Sequence, residues 1–143
     1  MANVNPAAHY QEQLINTATP GMIIVMLFEE AAKSINIAIR AVKSRNIQEA
    51  HNAIMKAQNI YLALNGFLDG QFEITADLVR LYEYLTRRLA EANAKKDAAI
   101  LKEVLEFTLD FKETWKQAEI NANIELNKKG EGAKPQKSVK AGE

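Results

Sequence analysis

Two histidines, a set of carboxylates, one arginine pair and one Thr-Pro-Gly turn are the residues of this 143-residue chain that could do chemistry. A di-iron centre in a helical bundle needs Glu-x-x-His on two helices plus two further inward Glu. The histidines are His9 and His51, and the residue three before His51 is Gln48, an amide rather than a carboxylate. That excludes a ferritin-like centre. Phosphoryl transfer through a single exposed histidine on the second helix of a four-helix bundle is the better fit. His51 lies one residue past Ala50, at the edge of an expected buried face. Domains of that kind carry Lys and Gly directly after the histidine, where they support the phosphoryl group. Here His51 is followed by Asn-Ala-Ile-Met-Lys56. A phosphotransfer bundle using His51 is kept as the alternative function, beside the plainer reading of a solvated helical histidine.

The remaining candidates offer less. Glu29, Glu30, Glu83, Glu91, Glu103 and Glu106 fall on expected polar faces and read as solvating charge. Thr19-Pro-Gly21 lacks the repeated glycines and the Lys that cradle phosphate. Arg87-Arg88 could meet an acidic partner, but Glu83 and Glu91 stand at salt-bridge spacing from Arg87 on the same helix. There is no cysteine, which excludes disulfides, thiolate metal sites and cysteine nucleophiles. No catalytic constellation emerges, so the chain reads as a binding protein, without metal or cofactor.

The elements that would present a binding surface are helices. Thr19 can cap a helix with its hydroxyl, and Pro20 suits the first helical position, where its missing N–H costs nothing. Met22 to Phe28 then gives seven apolar residues in a row. Seven residues circle the helix axis almost twice, whereas one core covers only part of that circumference. The surplus must be covered by the chain's own N-terminus, by another subunit or by a partner. Along this first helix, about Pro20 to Lys43, Ile24, Phe28, Ala31, Ile35, Ala38 and Val42 follow the alternating spacing of a bundle seam. Ser44-Arg45-Asn46 is a short link, and Asn46 with Glu49 resembles a capping box.

Helix two, about Ile47 to Leu68, carries Ile47, Ala50, Ile54, Ala57, Tyr61, Leu64 and Leu68, with Ala53, Ile60 and Phe67 as a second stripe. Asp69-Gly70 marks a loop. Helix three, about Ile74 to Ala94, carries Ile74, Leu78, Leu81, Leu85, Leu89 and Ala92, with Tyr82 alongside. Asp97 can cap helix four, about Ala98 to Leu126, whose seam is Leu101, Leu105, Thr108, Phe111, Trp115 and Ala118. Short links require antiparallel neighbours, so the expected fold is all-α: an antiparallel up-down-up-down four-helix bundle. The expected organisation is an N-terminal arm over 1–19, a bundle over 20–126 and a disordered Lys-rich tail over 127–143. Tyr10, Leu14 and Ile15 are the arm's apolar anchors.

Formal net charge is zero, from 18 basic and 18 acidic residues, which gives no electrostatic case for nucleic acid or an anionic membrane. The last seventeen residues hold five Lys and two Glu, leaving the body slightly acidic. No run approaches the roughly eighteen apolar residues of a membrane span, and the N-terminus lacks the layout of a signal peptide. A cytoplasmic protein is expected.

Four ordered blocks then carry a resemblance. Tyr10 with Asn16-Thr-Ala-Thr-Pro-Gly21 and Met26-Leu-Phe28 is one, and Lys56-Ala-Gln-Asn-Ile60 with Leu64-Asn65 is another. The third, Leu81-Tyr-Glu-Tyr-Leu-Thr-Arg-Arg-Leu-Ala-Glu-Ala-Asn93, is the closest match, and Val104 to Ala118 completes the set. Over about residues 8–118 the chain resembles the flagellar secretion chaperone FliS family. Met22 departs from that pattern, where a charged or polar residue is usual, as does Phe28, where Tyr is common.

The resemblance implies a cytoplasmic, ATP-independent type III export chaperone. Its client is the disordered C-terminal segment of flagellin, held from early polymerisation, with the export gate and a co-chaperone as further contacts. It also implies an N-terminal arm that covers part of the client surface in the unliganded protein. Tyr10, Leu14 and Ile15 are accordingly expected as displaceable cover, and Ile23, Leu27, Tyr82, Leu85 and Leu89 as groove residues. Asn93 joins Tyr82 as a polar contact to the client. The expected oligomeric state is a monomer or weak homodimer.

Overall fold

The computed structural model describes residues 19–68 and 76–133. They form four helices: α1 (Pro20–Lys43), α2 (Ile47–Leu68), α3 (Ala76–Lys95) and α4 (Ala98–Ala133). Among the described residues there is no strand. Each helix packs on its sequence neighbours, and α4 closes the square against α1.

The turns explain why the helices stop where they do. At the end of α1, Arg45 takes a left-handed φ of 62°. Its N–H then bonds the Val42 carbonyl at 3.1 Å, and that of Asn46 bonds Ala41 at 2.8 Å. These two bonds are the Schellman closure, made here without glycine. Asn46 also starts α2, its Oδ1 accepting from the Glu49 N–H at 3.2 Å. In a full capping box the N3 carboxylate would bond the cap's own N–H. Ala41 already holds that N–H, so Glu49 accepts from the Asn46 side-chain amide instead, at 3.1 Å. The α3–α4 turn repeats the device with Lys96 at φ 50°. There Asp97 N–H bonds Ala92 O at 3.1 Å, and Asp97 Oδ1 caps α4 through Ala99 N–H at 2.8 Å.

The core follows the expected seams closely. Ile24, Phe28, Ala31, Ile35 and Ala38 are buried on α1, with Val42 half-buried; Ala50, Ile54, Ala57, Tyr61 and Leu64 are buried on α2. α3 contributes Tyr82, Leu85, Leu89 and Ala92; α4 contributes Leu101, Val104 and Thr108. Across the diagonals, long side chains do the joining. Tyr61 meets Thr108 at 2.6 Å, and Phe28 meets Tyr82 at 6.2 Å between ring centres.

The structure departs from expectation at the ends. Ile47, expected in the seam, is 53% exposed because it is the first residue of α2, at the rim of the bundle. Ala118 is exposed because by that turn only the face of α4 carrying Trp115 and Glu119 remains partly covered. Helix four does not end near Leu126 but runs on to Ala133, into the stretch expected as tail. Ile74, expected to open helix three, lies outside the described residues.

A candidate client groove between the first and last helices

The first turns of α1 divide the apolar run by helical geometry. Ile24 and Phe28 point inward and are fully buried, Ile23, Val25, Met26 and Leu27 are half-buried, and Met22 is 42% exposed. α4 passes antiparallel across this end. Between the two helices lies a groove of about 330 Å³ whose apolar lining is Met22, Val25, Met26 and Ile120. Glu29, Lys116, Glu119 and Asn123 form its polar edge. The apolar strip continues along α4 past the groove, with Ile124 at 47% exposure.

Aromatic rings pack in the core between α1, α3 and α4. Phe28 lies 5.5 Å from Phe111, and Phe111 meets Tyr82 edge-on at 5.0 Å. The groove end of α1 is tied by Thr19, whose Oγ1 accepts from Met22 N–H at 3.2 Å and donates to Glu119 Oε2 at 2.6 Å.

The chain matches the family model described as "Flagellar protein FliS" over residues 2–122. It belongs to the FliS family. It is 39% identical over 118 residues to the flagellar secretion chaperone FliS of Bacillus subtilis, covering 82% of this chain and 89% of that one. The Salmonella typhimurium FliS is 32% identical over 117 residues, covering 80% and 87% of the two chains. The FliSB chaperone of Pseudomonas aeruginosa is 33% identical over 106 residues, covering 73% and 84%. The FliS match takes in α1, α2, α3 and the part of α4 that reaches the groove, Asn123 excepted.

Of the residues expected at the FliS client surface, Tyr10, Leu14 and Ile15 lie outside the described residues. Ile23 and Leu27 are half-buried on α1, but neither lines the groove. Tyr82, Leu85 and Leu89 are core, at 1%, 0% and 0% exposure, so in this closed bundle they offer no surface to a partner. Burial pushes the Tyr82 phenol above its ordinary value, the Trp115 side chain easing the shift.

Asn93 is half-buried and faces His51, its Nδ2 lying 3.1 Å from His51 Nδ1. Lys96 Nζ donates to Asn93 Oδ1 at 2.7 Å, which turns the Asn93 amide nitrogen toward His51. Lys56, one turn past His51, pairs with Glu30 at 3.1 Å rather than attending the histidine. Among the described residues no three His, Cys, Asp or Glu gather as a metal site, and no helix is long and apolar enough to cross a membrane.

Glu103 is a correction. Expected as a solvating charge, it accepts from Tyr84 Oη at 2.8 Å and Arg88 Nε at 2.9 Å, joining α4 to α3. Those two hydrogen bonds hold its carboxyl below the usual range, and the bonds from Lys95 and Arg88 do the same for Glu91. The pairing arginine is Arg88, not Arg87.

What sequence reasoning missed was the groove's own lining. Met22, Val25 and Met26 stand three and four residues apart, on the side of α1 opposite the Ile24 and Phe28 seam. Ile120 and Ile124 stand four apart in the last turns expected for helix four, beyond the seam that ended at Ala118.

Proposed function

We propose that this protein is a cytoplasmic export chaperone that holds the C-terminal segment of flagellin before its secretion. The observation that carries this reading is the apolar groove between α1 and α4, in a chain whose family relatives are named flagellar secretion chaperones. Two methionines among four apolar lining residues suit a client that docks by packing, since Met adapts its shape to irregular surfaces. A segment that folds on binding buries roughly 1,000–3,000 Å² and loses about 2–5 kcal/mol to ordering. Apolar burial at about 25 cal/mol per Å² exceeds that loss without a buried ion pair. Helix-in-groove docking is the recognition mode this geometry supports.

Residues 1–19 belong to the proposal as a displaceable cover, with Tyr10, Leu14 and Ile15 as its anchors; Ile23 and Leu27 would flank the client. Titration calorimetry with the C-terminal segment of flagellin from the same organism tests the reading. A one-to-one complex with negative ΔCp and helix gained by circular dichroism is expected. Met26→Asp, at a half-buried groove position, should weaken that complex tenfold or more while leaving the bundle folded. A silent titration, or full affinity in Met26→Asp, would remove the basis for this assignment.

A further inference from the structure

Glu119 belongs to two things at once: it lines the groove, and its carboxylate sits on the N-terminus of α1. The N–H groups of a first helical turn lack intrahelical acceptors, and the helix dipole favours negative charge there. Oε2 of Glu119 accepts from Thr19, the residue that caps Met22. Oε1 lies where a Cβ on Gly21 would stand. Gly21 does not have a left-handed φ and is the second residue of α1. In a helix glycine is a poor choice, and here its bare Cα is the space in which the carboxylate rests. Among the described residues Glu119 has no cationic partner; its only hydrogen bond is to a neutral hydroxyl.

The groove this clasp borders, about 330 Å³, lies at the small end of the ~300–1,000 Å³ found for ligand pockets. A helix with its side chains is about 10–12 Å across, so a space of that size seats only part of its apolar face. We propose that Glu119 is a latch: seated on the start of α1 it holds the groove narrow, and a client helix is admitted when the seat is vacated. This rests on the client reading above and adds its regulation. A single exposed clasp is weak, as a latch opened by binding must be.

The free protein tests the clasp without any client. Glu119→Ala should raise hydrogen exchange at the Met22 and Ile23 amides about tenfold, with the amides of Ala31 to Ile39 unchanged. Gly21→Ala should also raise exchange there, because its methyl evicts the carboxylate, although alanine favours helix. In the Glu119→Ala background, where nothing is left to evict, the same Gly21→Ala change should lower exchange. Unchanged exchange in Glu119→Ala, or the same sign for Gly21→Ala in both backgrounds, would overturn the clasp.

The gating claim is read from the flagellin C-terminal segment by calorimetry. Glu119→Ala should bind it three- to tenfold more tightly than the native protein does. Equal or weaker binding would overturn gating and make Glu119 a client contact or a plain cap. Binding by neither protein would overturn the client reading and the gating with it, while the exchange measurements would still decide the clasp.

Discussion

Thr108 shows how one hydroxyl can set the energetics of a core. It is fully buried, and its single proton goes to the Val104 carbonyl at 2.7 Å. The proton in the 2.6 Å contact with Tyr61 must therefore come from the tyrosine. Burial holds the Tyr61 phenol far above its ordinary value, which keeps it a donor. The two partners are then unequal. Thr108→Val strands a buried phenol O–H and should cost about 1–3 kcal/mol, whereas Tyr61→Phe leaves Thr108 bonded to Val104 and should cost about 0.5–1.5 kcal/mol. Tyr82 is a third case: its hydroxyl is buried and has no hydrogen-bond partner of normal geometry among the described residues. Tyr82→Phe should therefore stay within about 0.5 kcal/mol of the native protein. Urea unfolding of the three variants orders them, and a Tyr61→Phe cost above that of Thr108→Val would reverse the donor assignment. Polarity at Thr108 was legible in the sequence only as a seam position; its partner, 47 residues away, was not.

At the scale of the helices, local chemistry made boundaries easy to read and functional faces hard. Thr19, Asn46 and Asp97 announce starts by side-chain capping and Pro20 by its fixed φ, signals confined to a few residues, and α1 and α2 begin where those signals place them. Arg45 gave no such sign, because left-handed backbone is ordinarily the work of glycine. Arg45→Gly should stabilise the bundle by about 0.5–1 kcal/mol in thermal unfolding. Lys96→Gly should gain less, since Lys96 Nζ also bonds Asn93.

The α3–α4 contact has a pH signature. The Glu103 carboxyl is depressed by bonds from Tyr84 and Arg88, so its contribution is complete above the ordinary carboxylate value, about 4.3. It is lost as pH falls through the lower folded value. Stability of Glu103→Gln, followed by urea midpoint against pH, should be lower than native near neutrality and converge with it in acid. A constant gap at every pH would exclude the charge as the cause.

For the whole molecule, the fold was legible because four seams of matching period leave a chain with short links little choice but a square bundle. The groove was not, because Tyr82, Leu85 and Leu89 share a face with one another in sequence but that face turned inward. Met22, Val25 and Met26 turned outward from the same apolar run that supplied the core. Periodicity says that a helix has more apolar surface than one core needs; it does not say which neighbour stops short. That is decided by relative helix length. α4 has 36 residues against 24, 22 and 20 in the others.

At about 1.5 Å per residue α4 is about 54 Å long and α1 about 36 Å. Residues 121–128 of α4 are all exposed. Such a segment lies outside the cooperative unit and obeys helix–coil statistics, in which stretches below about 12–15 residues are marginal in water. The far-ultraviolet signal should therefore slope steadily with temperature before the main transition, as that end unzips residue by residue. Ending the chain at Ile120 should flatten the slope and leave the midpoint in place. A midpoint that fell with it would mean that those turns carry part of the fold's own stability.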